Sequence, residues 1–352
     1  MPRVKLKTLI LLSLCFSVTS MIFVLVSFDK IDDTLNARGI GNIKFRFQKR
    51  HGISVGNGVS VFQQNRKGQM RLLRNINKMF NNLNISKVQS IRRQLKKAGF
   101  SLESMLQFLP YDSNISDEEN IFAGKLQGNN DDLLLKAVNN VETCAVVGNS
   151  GVLTNSNCGL EIDAHDVVLR TNMAPIEDYE IDVGKRTDLV SMNSAIAKFY
   201  YRCLRSNGTK CYQLCKNYLQ NINRSTVWFS KLHGVPSYIY YNVVAALRKL
   251  KSDVAVTFPD RQLKAPLQKF WKLDSIPSSG VFLYTLAFTF CRKVSLYGFY
   301  PFNQTRSGQP LRFHYYENAS FVNTHSMPIE FDMIFQLYKT GGLRIVTESC
   351  VS

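Results

Sequence analysis

The chain has 352 residues, of which 45% are hydrophobic, and a formal net charge of +18 from 44 basic and 26 acidic side chains. This length and hydrophobic content are enough for one large or two small packed domains, and they exclude a disordered protein. The basic excess favours an anionic partner, such as nucleic acid, a membrane surface or an acidic small molecule, without choosing among them.

The first predicted element is an apolar segment, residues 9–28, which carries no charged side chain and is long enough to cross a bilayer as a helix. Basic residues precede it and acidic residues follow it, so the positive-inside rule places residues 1–8 in the cytosol and the body in the lumen. A cleaved signal peptide is the alternative, but the apolar core is long for one and no small-residue cleavage site follows. We expect an uncleaved signal anchor and a lumenal body, for which nucleic acid is a poor partner.

Cysteines and glycosylation sequons fit a lumenal body. Besides Cys15 in the apolar segment there are seven cysteines, and none forms the CxxC pair of a zinc ribbon. Sequons of the N-x-[ST] type occur at six positions: Asn84, Asn114, Asn207, Asn223, Asn303 and Asn318. Six sequons behind an anchor indicate the secretory route, where disulfides form.

Two basic, polar segments follow the anchor. Residues 29–70 are predicted to be a flexible stem, and residues 71–128 a basic helical lead-in, because apolar residues recur there at helical spacing. Basic runs such as residues 92–97 are typical of a solvated helix face, and a track for a long polyanion is the alternative. The body is predicted to span residues 129–352.

The body alternates strand-like and helix-like segments. Apolar runs at residues 145–147, 167–169 and 188–192 predict three strands, each followed by an asparagine-bearing loop. Further strands are predicted at residues 226–229, 254–257 and 293–297, and helices at residues 238–250, 262–271 and 278–291. This alternation predicts an α/β fold with a mostly parallel sheet flanked by helices. Such sheets bind ligands at the carboxyl ends of their strands.

The loops after the first two predicted strands contain Asn149, Ser150 and Asn172. The glycines near them match neither the GxGxxG dinucleotide fingerprint nor the P-loop. Asparagine is also common in turns, because it tolerates left-handed backbone. Spacing alone therefore predicts a ligand site of unknown kind, with ordinary turns as the alternative.

Two later segments also contain candidate site residues. Ser278, Ser279 and Gly280 open a helix, where hydroxyl and free N–H groups bind phosphate or carboxylate, although helix capping explains the same serines. His314 and His325 lie eleven positions apart, the second just before a proline that starts another helix. The positive end of a helix dipole favours the neutral imidazole that a general base requires, while a surface or packing histidine is the alternative.

Taken together, these segments resemble the four sialylmotifs of animal sialyltransferases, in particular of the alpha-2,8 branch. The large motif corresponds to residues 144–193, the small motif to residues 276–302, the third to residues 314–317 and the very small motif to residues 325–330. The resemblance implies a modified Rossmann-like glycosyltransferase fold, a GT-A variant, in a type II protein of the Golgi membrane. It implies CMP-sialic acid (CMP-N-acetylneuraminate) as the donor, with no cofactor and no metal.

The resemblance also implies roles for individual residues. Donor binding is implied for Asn149, Ser150, Asn172, Ser278, Ser279, Gly280, Tyr300 and His314. His325 would be the catalytic base, and His314 would also stabilise charge on the leaving CMP. The acceptor would be a sialylated glycolipid or glycoprotein glycan, extended in alpha-2,8 linkage with inversion. The alternatives are another linkage, alpha-2,3 or alpha-2,6, or a catalytically weak sialoglycan-binding paralogue.

Two disulfides follow from the same resemblance, Cys144–Cys291 and Cys158–Cys350. Each would close a loop long enough to stabilise the fold by roughly 4 to 5 kcal/mol in the chain-entropy model. The other three cysteines, Cys203, Cys211 and Cys215, match nothing in the family pattern. An odd cysteine among them would be free or would link two subunits of a homodimer.

The chain departs from the family pattern at three places. The family usually has Ser-Thr-Gly in the small motif where this chain has Ser278, Ser279 and Gly280, and tryptophan where it has Tyr300. Glu317 replaces the aspartate common in the alpha-2,8 branch. These differences bear on the acceptor and the linkage more than on the donor.

Overall fold

The computed structural model describes residues 82–108, 141–222, 224–230, 237–250, 254–260, 263–319 and 325–350. All of these except residues 317–319 belong to one compact unit. The predicted tail, anchor and stem lie outside the described residues, as do the sequons at Asn114 and Asn223. Within the described ranges, no helix combines the length and apolar composition needed to cross a bilayer.

The described residues form one eight-stranded sheet. Its strands are β1 (Gln107–Phe108), β2 (Thr143–Val147), β3 (Val167–Arg170), β4 (Leu189–Ser191), β5 (Thr226–Trp228), β6 (Ala255–Phe258), β7 (Lys293–Tyr297) and β8 (Arg344–Val346). Their order is β1-β6-β5-β4-β3-β2-β7-β8, and every pairing is parallel except that of β1 with β6. The prediction of an α/β fold with a mostly parallel sheet is confirmed. Strands β3, β4 and β5 are buried at every position, as expected of parallel strands that are covered on both faces.

The helices of the described ranges connect these strands. They are α1 (Ile85–Lys97), α2 (Leu102–Met105), α3 (Gly159–Asp163), α4 (Glu180–Val183), α5 (Ser194–Arg205), α6 (Lys210–Asn221), α7 (Ser237–Lys249), α8 (Lys264–Trp271), α9 (Ser279–Phe290) and α10 (Met327–Lys339). Helix α9 is apolar on all sides and ten of its twelve residues are buried, as expected of a helix enclosed by protein. It packs on β2, β3 and β7 and is contacted by α1 and α2.

Residues 85–108, part of the predicted lead-in, belong to the body. Strand β1 joins the sheet, and the indole N–H of Trp228 donates to the Met105 carbonyl at 2.9 Å. Arg92 is not on a solvated face: its guanidinium donates to the carbonyls of Phe288 (3.0 Å) and Cys291 at the carboxyl end of α9. Burial lowers the pKa of Arg92. The body therefore begins before residue 129, because its core and sheet need these elements.

The sheet has a topological switch point between β2 and β7. From β2 the chain builds the sheet outward through β3 to β6, and then returns to place β7 on the other side of β2. The loops that follow β2 and β7 touch, since a Cβ on Gly148 would lie 2.5 Å from the Gly298 carbonyl oxygen. Gly298 itself has φ +70°, which favours glycine. Open α/β sheets bind ligands at such a point.

Candidate functional site

Three segments meet at the switch point. The N–H of Gly148 donates to the Tyr297 carbonyl at 2.7 Å, and that of Ser150 to the Gly298 carbonyl at 3.1 Å. Ser150 also forms a β-bridge with His314. The loops after β2 and β7 and the segment around residue 314 are thus fastened together. This brings Ser150, Tyr300 and His314, predicted from three separate motifs, to one edge of the sheet.

Ser150 fixes this junction through its side chain. Its hydroxyl donates to the Tyr300 carbonyl at 2.6 Å and accepts from the Val152 N–H at 3.3 Å. Both bonds are to backbone, so the Ser150 hydroxyl positions the loop that carries Tyr300. The His314 ring lies over Tyr316, with the ring centroids 5.2 Å apart.

The Asn149 side chain is held by Thr171, which directly follows the neighbouring strand β3. With its amide nitrogen turned toward Thr171, the side chain donates to the Thr171 hydroxyl at 2.8 Å and approaches the Gly148 and Thr171 carbonyls at 3.3 Å. We assign this orientation because it matches donors to acceptors. The Tyr315 N–H donates to the Asn149 carbonyl at 3.0 Å, which completes the connection to the third motif.

Asn172, at the end of β3, differs from the other strand-end asparagines. Its N–H donates to the Ser191 hydroxyl at 3.1 Å, and its φ is +56°. Its side-chain oxygen is buried and has no hydrogen-bond partner. Asn193, at the end of β4, instead caps α5, with Oδ1 accepting from the Ile196 N–H at 2.9 Å. An unpaired buried acceptor costs about 1–3 kcal/mol, so the Asn172 oxygen marks a place where a ligand donor fits.

The predicted helix start is the beginning of α9. Ser278 caps the helix, its hydroxyl accepting from the Val281 N–H at 3.3 Å, while its own N–H donates to the Glu330 carboxylate at 2.8 Å. The N–H groups of Ser279 and Gly280 lie in the first turn, where helix geometry offers them no intrahelical partner. The cap is therefore formed, and these two N–H groups are the ones that can receive an anion.

His325 is oriented by a backbone carbonyl. Its Nδ1 lies 2.7 Å from the Ile276 carbonyl oxygen, which can only accept a hydrogen bond. The proton therefore sits on Nδ1, and in the neutral ring Nε2 is the basic nitrogen. The next residue is tied to the same loop, because the Ser326 N–H donates to the Ser275 hydroxyl at 3.1 Å. His325 is thus coupled to the loop that leads into α9.

Two residues at this edge have no role predicted from the sequence. Glu330, in the first turn of α10 and 6% exposed, joins that helix to the start of α9 through Ser278. Ser230 follows β5, is buried, and its hydroxyl has no partner. The signal for Ser230 was a polar residue directly after an apolar strand, the same pattern that drew attention to Asn172.

His165 is a packing histidine. Its ring nitrogens lie 2.9 Å from the Glu161 carbonyl and 3.2 Å from the Ser295 hydroxyl. Burial lowers its pKa from 6.5 to about 4, so it is neutral at physiological pH. It belongs to the core, apart from the chemistry described above.

The structure contains the disulfides Cys144–Cys291 and Cys158–Cys350, the two pairings that the resemblance implies. A third disulfide joins Cys203 to Cys211.

Cys215 is buried and unpaired, and burial raises the pKa of its thiol to about 12. Its sulfur lies within 4.8 Å of those of Cys203 and Cys211, the one group of three potential metal ligands found within the described ranges. Because Cys203 and Cys211 are joined, Cys215 is the odd cysteine of the three, and of the two alternatives it is the free one.

The sequons within the described residues have exposed asparagines: Asn84, Asn207, Asn303 and Asn318. Asn207 lies between the two cysteines of the third disulfide. All four are accessible for attachment of a glycan.

Geometry of this kind suits an α/β protein that binds an anionic ligand at the carboxyl ends of its strands. The sequence model of glycosyltransferase family 29 (sialyltransferase) matches residues 69–342. The chain belongs to this family.

Two curated relatives carry the name alpha-N-acetylneuraminide alpha-2,8-sialyltransferase. The one from Xenopus tropicalis is 33% identical over 217 residues, which are 60% of this chain and 62% of the relative. The one from Bos taurus is 33% identical over 217 residues, 60% of each chain. The match thus spans about three fifths of the length of these relatives.

Two solved structures are similar over 67% of this chain and 80% of their own, at 23% identity. One is a mammalian sialyltransferase, with a TM-score of 0.45. The other is a mammalian sialyltransferase in complex with Gal-beta-1-3GalNAc-ortho-nitrophenol, with a TM-score of 0.43.

Proposed function

We propose that this protein transfers sialic acid from CMP-sialic acid to the terminal sialic acid of a glycolipid or glycoprotein glycan, in alpha-2,8 linkage. Family membership supports the reaction, and the names of the two curated relatives support the linkage. The observation that carries the proposal is the bond from His325 Nδ1 to the Ile276 carbonyl, which leaves Nε2 as the basic atom. We further propose that the fold is a modified Rossmann-like glycosyltransferase fold of the GT-A type.

The edge of the sheet suits an anionic nucleotide sugar. The buried oxygen of Asn172 can accept a hydrogen bond from an amino or hydroxyl group of the donor. The N–H groups of Ser279 and Gly280 can receive its phosphate or carboxylate, since the first turn of a helix gives them no intrahelical partner. Asn149, Ser150 and Ser278 fix the loops around this space, while Tyr300 and His314 border it.

The reaction is a single displacement. His325 Nε2 takes the proton of the acceptor hydroxyl as its oxygen forms a bond to the anomeric carbon of the donor. The bond from that carbon to the CMP phosphate breaks, its electron pair leaves with CMP, and the configuration inverts. The imidazolium then returns its proton to solvent.

Charge on the departing phosphate would be stabilised by hydrogen bonds from His314 and the N–H groups at the start of α9. We therefore propose that no metal takes part. EDTA should leave the rate of transfer unchanged.

We also propose that the protein is a type II protein of the Golgi membrane, anchored by residues 9–28. The three disulfides support an oxidising compartment, because such bonds rarely persist in the cytosol. The exposed sequons support the same route, and digestion with a glycosidase that removes N-glycans should lower the apparent mass of the protein from cells.

The test uses the full-length chain in detergent, with labelled CMP-sialic acid and sialyllactose as the acceptor. We expect labelled product that is cleaved by an alpha-2,8-selective sialidase. Product that resists it and is cleaved by an alpha-2,3- or alpha-2,6-selective enzyme would assign the other linkage. CMP binding without any transfer would indicate a sialoglycan-binding protein.

The role of His325 is tested in the same assay. His325→Ala should lower kcat by about 10²–10⁴-fold, the usual contribution of a general base, while CMP still binds. His165→Gln is the matched control at pH 7, since it replaces a histidine of the core and should retain wild-type transfer. Normal turnover by His325→Ala would refute the assignment of the base.

A further inference from the structure

A row of aromatic side chains leads from the candidate donor site along one face of α10. Tyr300 packs edge-on against Phe302 and Phe331, with ring centroids 4.9 and 5.7 Å away. Phe331 stacks on Phe335 at 6.0 Å, and Phe335 on Tyr338 at 6.0 Å. Positions 331, 335 and 338 share a helix face because their spacing follows the helical repeat. We call these five residues the aromatic row.

The far end of the row forms one wall of a groove of about 270 Å³. Residues 345–350, which are the end of β8 and the chain that follows it, form the other wall. This wall is held in place, because Cys350 is bonded to Cys158 and its N–H donates to the Ser156 carbonyl at 2.8 Å. The Ser349 hydroxyl donates to the same carbonyl at 2.9 Å. The groove is therefore formed in advance of any ligand, as binding sites usually are.

The groove also has one arginine that is able to bind an anion. The guanidinium of Arg306 lies 4.0 Å from the Glu348 carboxylate, and the two side chains are 70% and 80% exposed. A pair this exposed contributes little, so Arg306 can exchange Glu348 for another carboxylate. Arg344, the other arginine of the lining, is 14% exposed and bonded to Glu161 at 2.6 Å. The Arg344 guanidinium is therefore already paired within the protein.

Aromatic rings and an exposed arginine suit an acidic oligosaccharide. One face of a sugar ring presents C–H groups that pack on an aromatic ring, while its hydroxyls remain in water. A sialic acid residue adds a carboxylate, whose geometry matches a guanidinium. Tyr338 is 45% exposed, so the outer part of the row is accessible to such a chain.

We propose that the groove holds the sugars that follow the terminal sialic acid of the acceptor, and that Arg306 pairs with the carboxylate of a second sialic acid. This rests on the proposed function, which puts the reacting end of the acceptor at His325. Helix α10 begins two residues after His325, and Tyr338 lies about 17 Å further along it, at about 1.5 Å per residue. The enzyme therefore prefers acceptors that already carry two sialic acids.

The experiment compares acceptors with one and two sialic acids, sialyllactose and disialyllactose, using full-length protein in detergent and saturating CMP-sialic acid. Wild type should have the lower KM for disialyllactose. Arg306→Gln should raise that KM by up to about fivefold and leave the KM for sialyllactose unchanged, since an exposed ion pair is weak. Phe335→Ala should raise KM for both acceptors by roughly tenfold through lost ring contact, with kcat preserved.

Two variants are matched controls. Arg292→Gln removes an arginine that is 58% exposed and paired with Glu142, remote from the groove in sequence. Tyr238→Ala removes an aromatic side chain of α7 that is 48% exposed. Neither should change the KM for either acceptor. If Phe335→Ala fails to fold, Arg306→Gln decides alone, because its side chain is mostly in solvent.

The outcomes separate this inference from the proposed function. If wild type and Arg306→Gln both transfer sialic acid with equal KM values for the two acceptors, the proposed groove site is refuted and the proposed reaction is not affected. Absence of transfer by wild type would overturn the reaction, and calorimetric titration then tests the groove. In that titration wild type should bind disialyllactose more tightly than lactose, and Arg306→Gln should lose the difference; equal binding of the two sugars by wild type would overturn the groove as well.

Discussion

The unpaired oxygen of Asn172 allows ligand binding to be separated from folding. Asn172→Gly removes the carboxamide and still permits the φ of +56°, because glycine adopts positive φ without steric cost. Removing an unsatisfied buried acceptor recovers about 1–3 kcal/mol, against about 0.5–1 kcal/mol of extra backbone entropy lost by glycine. The unfolding free energy of the ligand-free variant should therefore be unchanged or higher by up to about 2 kcal/mol.

CMP affinity should change in the opposite direction. A hydrogen bond from the nucleotide to the Asn172 oxygen contributes about 1.5 kcal/mol, so its loss should weaken the Kd for CMP by roughly tenfold. Calorimetric titration of CMP into the full-length protein measures the Kd, and chemical denaturation without ligand measures stability. If the variant is as stable as wild type but binds CMP less tightly, the Asn172 carboxamide serves ligand binding and not folding.

Asn193 provides the control, because it occupies the same position at the end of the next strand. Its carboxamide caps α5, so Asn193→Ala should lower the unfolding free energy by about 1 kcal/mol and leave the Kd for CMP unchanged. The reasoning fails if Asn172→Gly is destabilised like the Asn193 variant and binds CMP normally. In that case Asn172 would be a turn residue.

Three other changes test the core around the site. Burial lowers the pKa of His165 from 6.5 to about 4, so its contribution to stability is present above pH 6.5 and is lost as the pH falls to 4. This loss amounts to about 3 kcal/mol of unfolding free energy. His165→Gln should abolish it in denaturation curves measured between pH 7 and 4. Gly280→Ala puts a Cβ 2.6 Å from the Phe299 ring and should cost about 1–3 kcal/mol in thermal unfolding, so a gain would contradict this packing. Cys158 and Cys350 are 192 residues apart, so replacing both by serine should lower the unfolding free energy by about 5 kcal/mol in the chain-entropy model. A nearly unchanged denaturation midpoint would argue against this loop-closure effect.

Sequence patterns were sufficient for the long apolar strands. The run at residues 293–297 predicts a strand, and β7 spans Lys293–Tyr297. The runs at residues 145–147 and 167–169 fall within β2 and β3. Strand β1 has two residues, too few for a period of two to emerge. The position of β1 depends on its pairing with β6, a distant contact that local sequence does not encode.

The site shows the same limit at the level of single atoms. Asn172 and Asn193 look alike in the sequence, since each follows an apolar strand, yet one carboxamide is unpaired and the other caps a helix. Ser150 is predicted to bind the donor, but the sequence does not show that its hydroxyl also bonds two backbone groups. The sequence predicts the residue type and the end of the strand. The hydrogen-bond partners of a side chain depend on loops that are distant in the sequence.

The bonds from Arg92 to the end of α9 constrain where a protease can release the body from the polypeptide before it. Residues 82–84 already touch the body, because the Asn84 N–H donates to the Gly341 carbonyl at 2.9 Å. Cleavage before residue 82 would spare these contacts. Cleavage between α1 and α2 would leave α1 on the upstream fragment, held to the body only by non-covalent affinity. Release of an intact body should therefore require a cut upstream of Asn82.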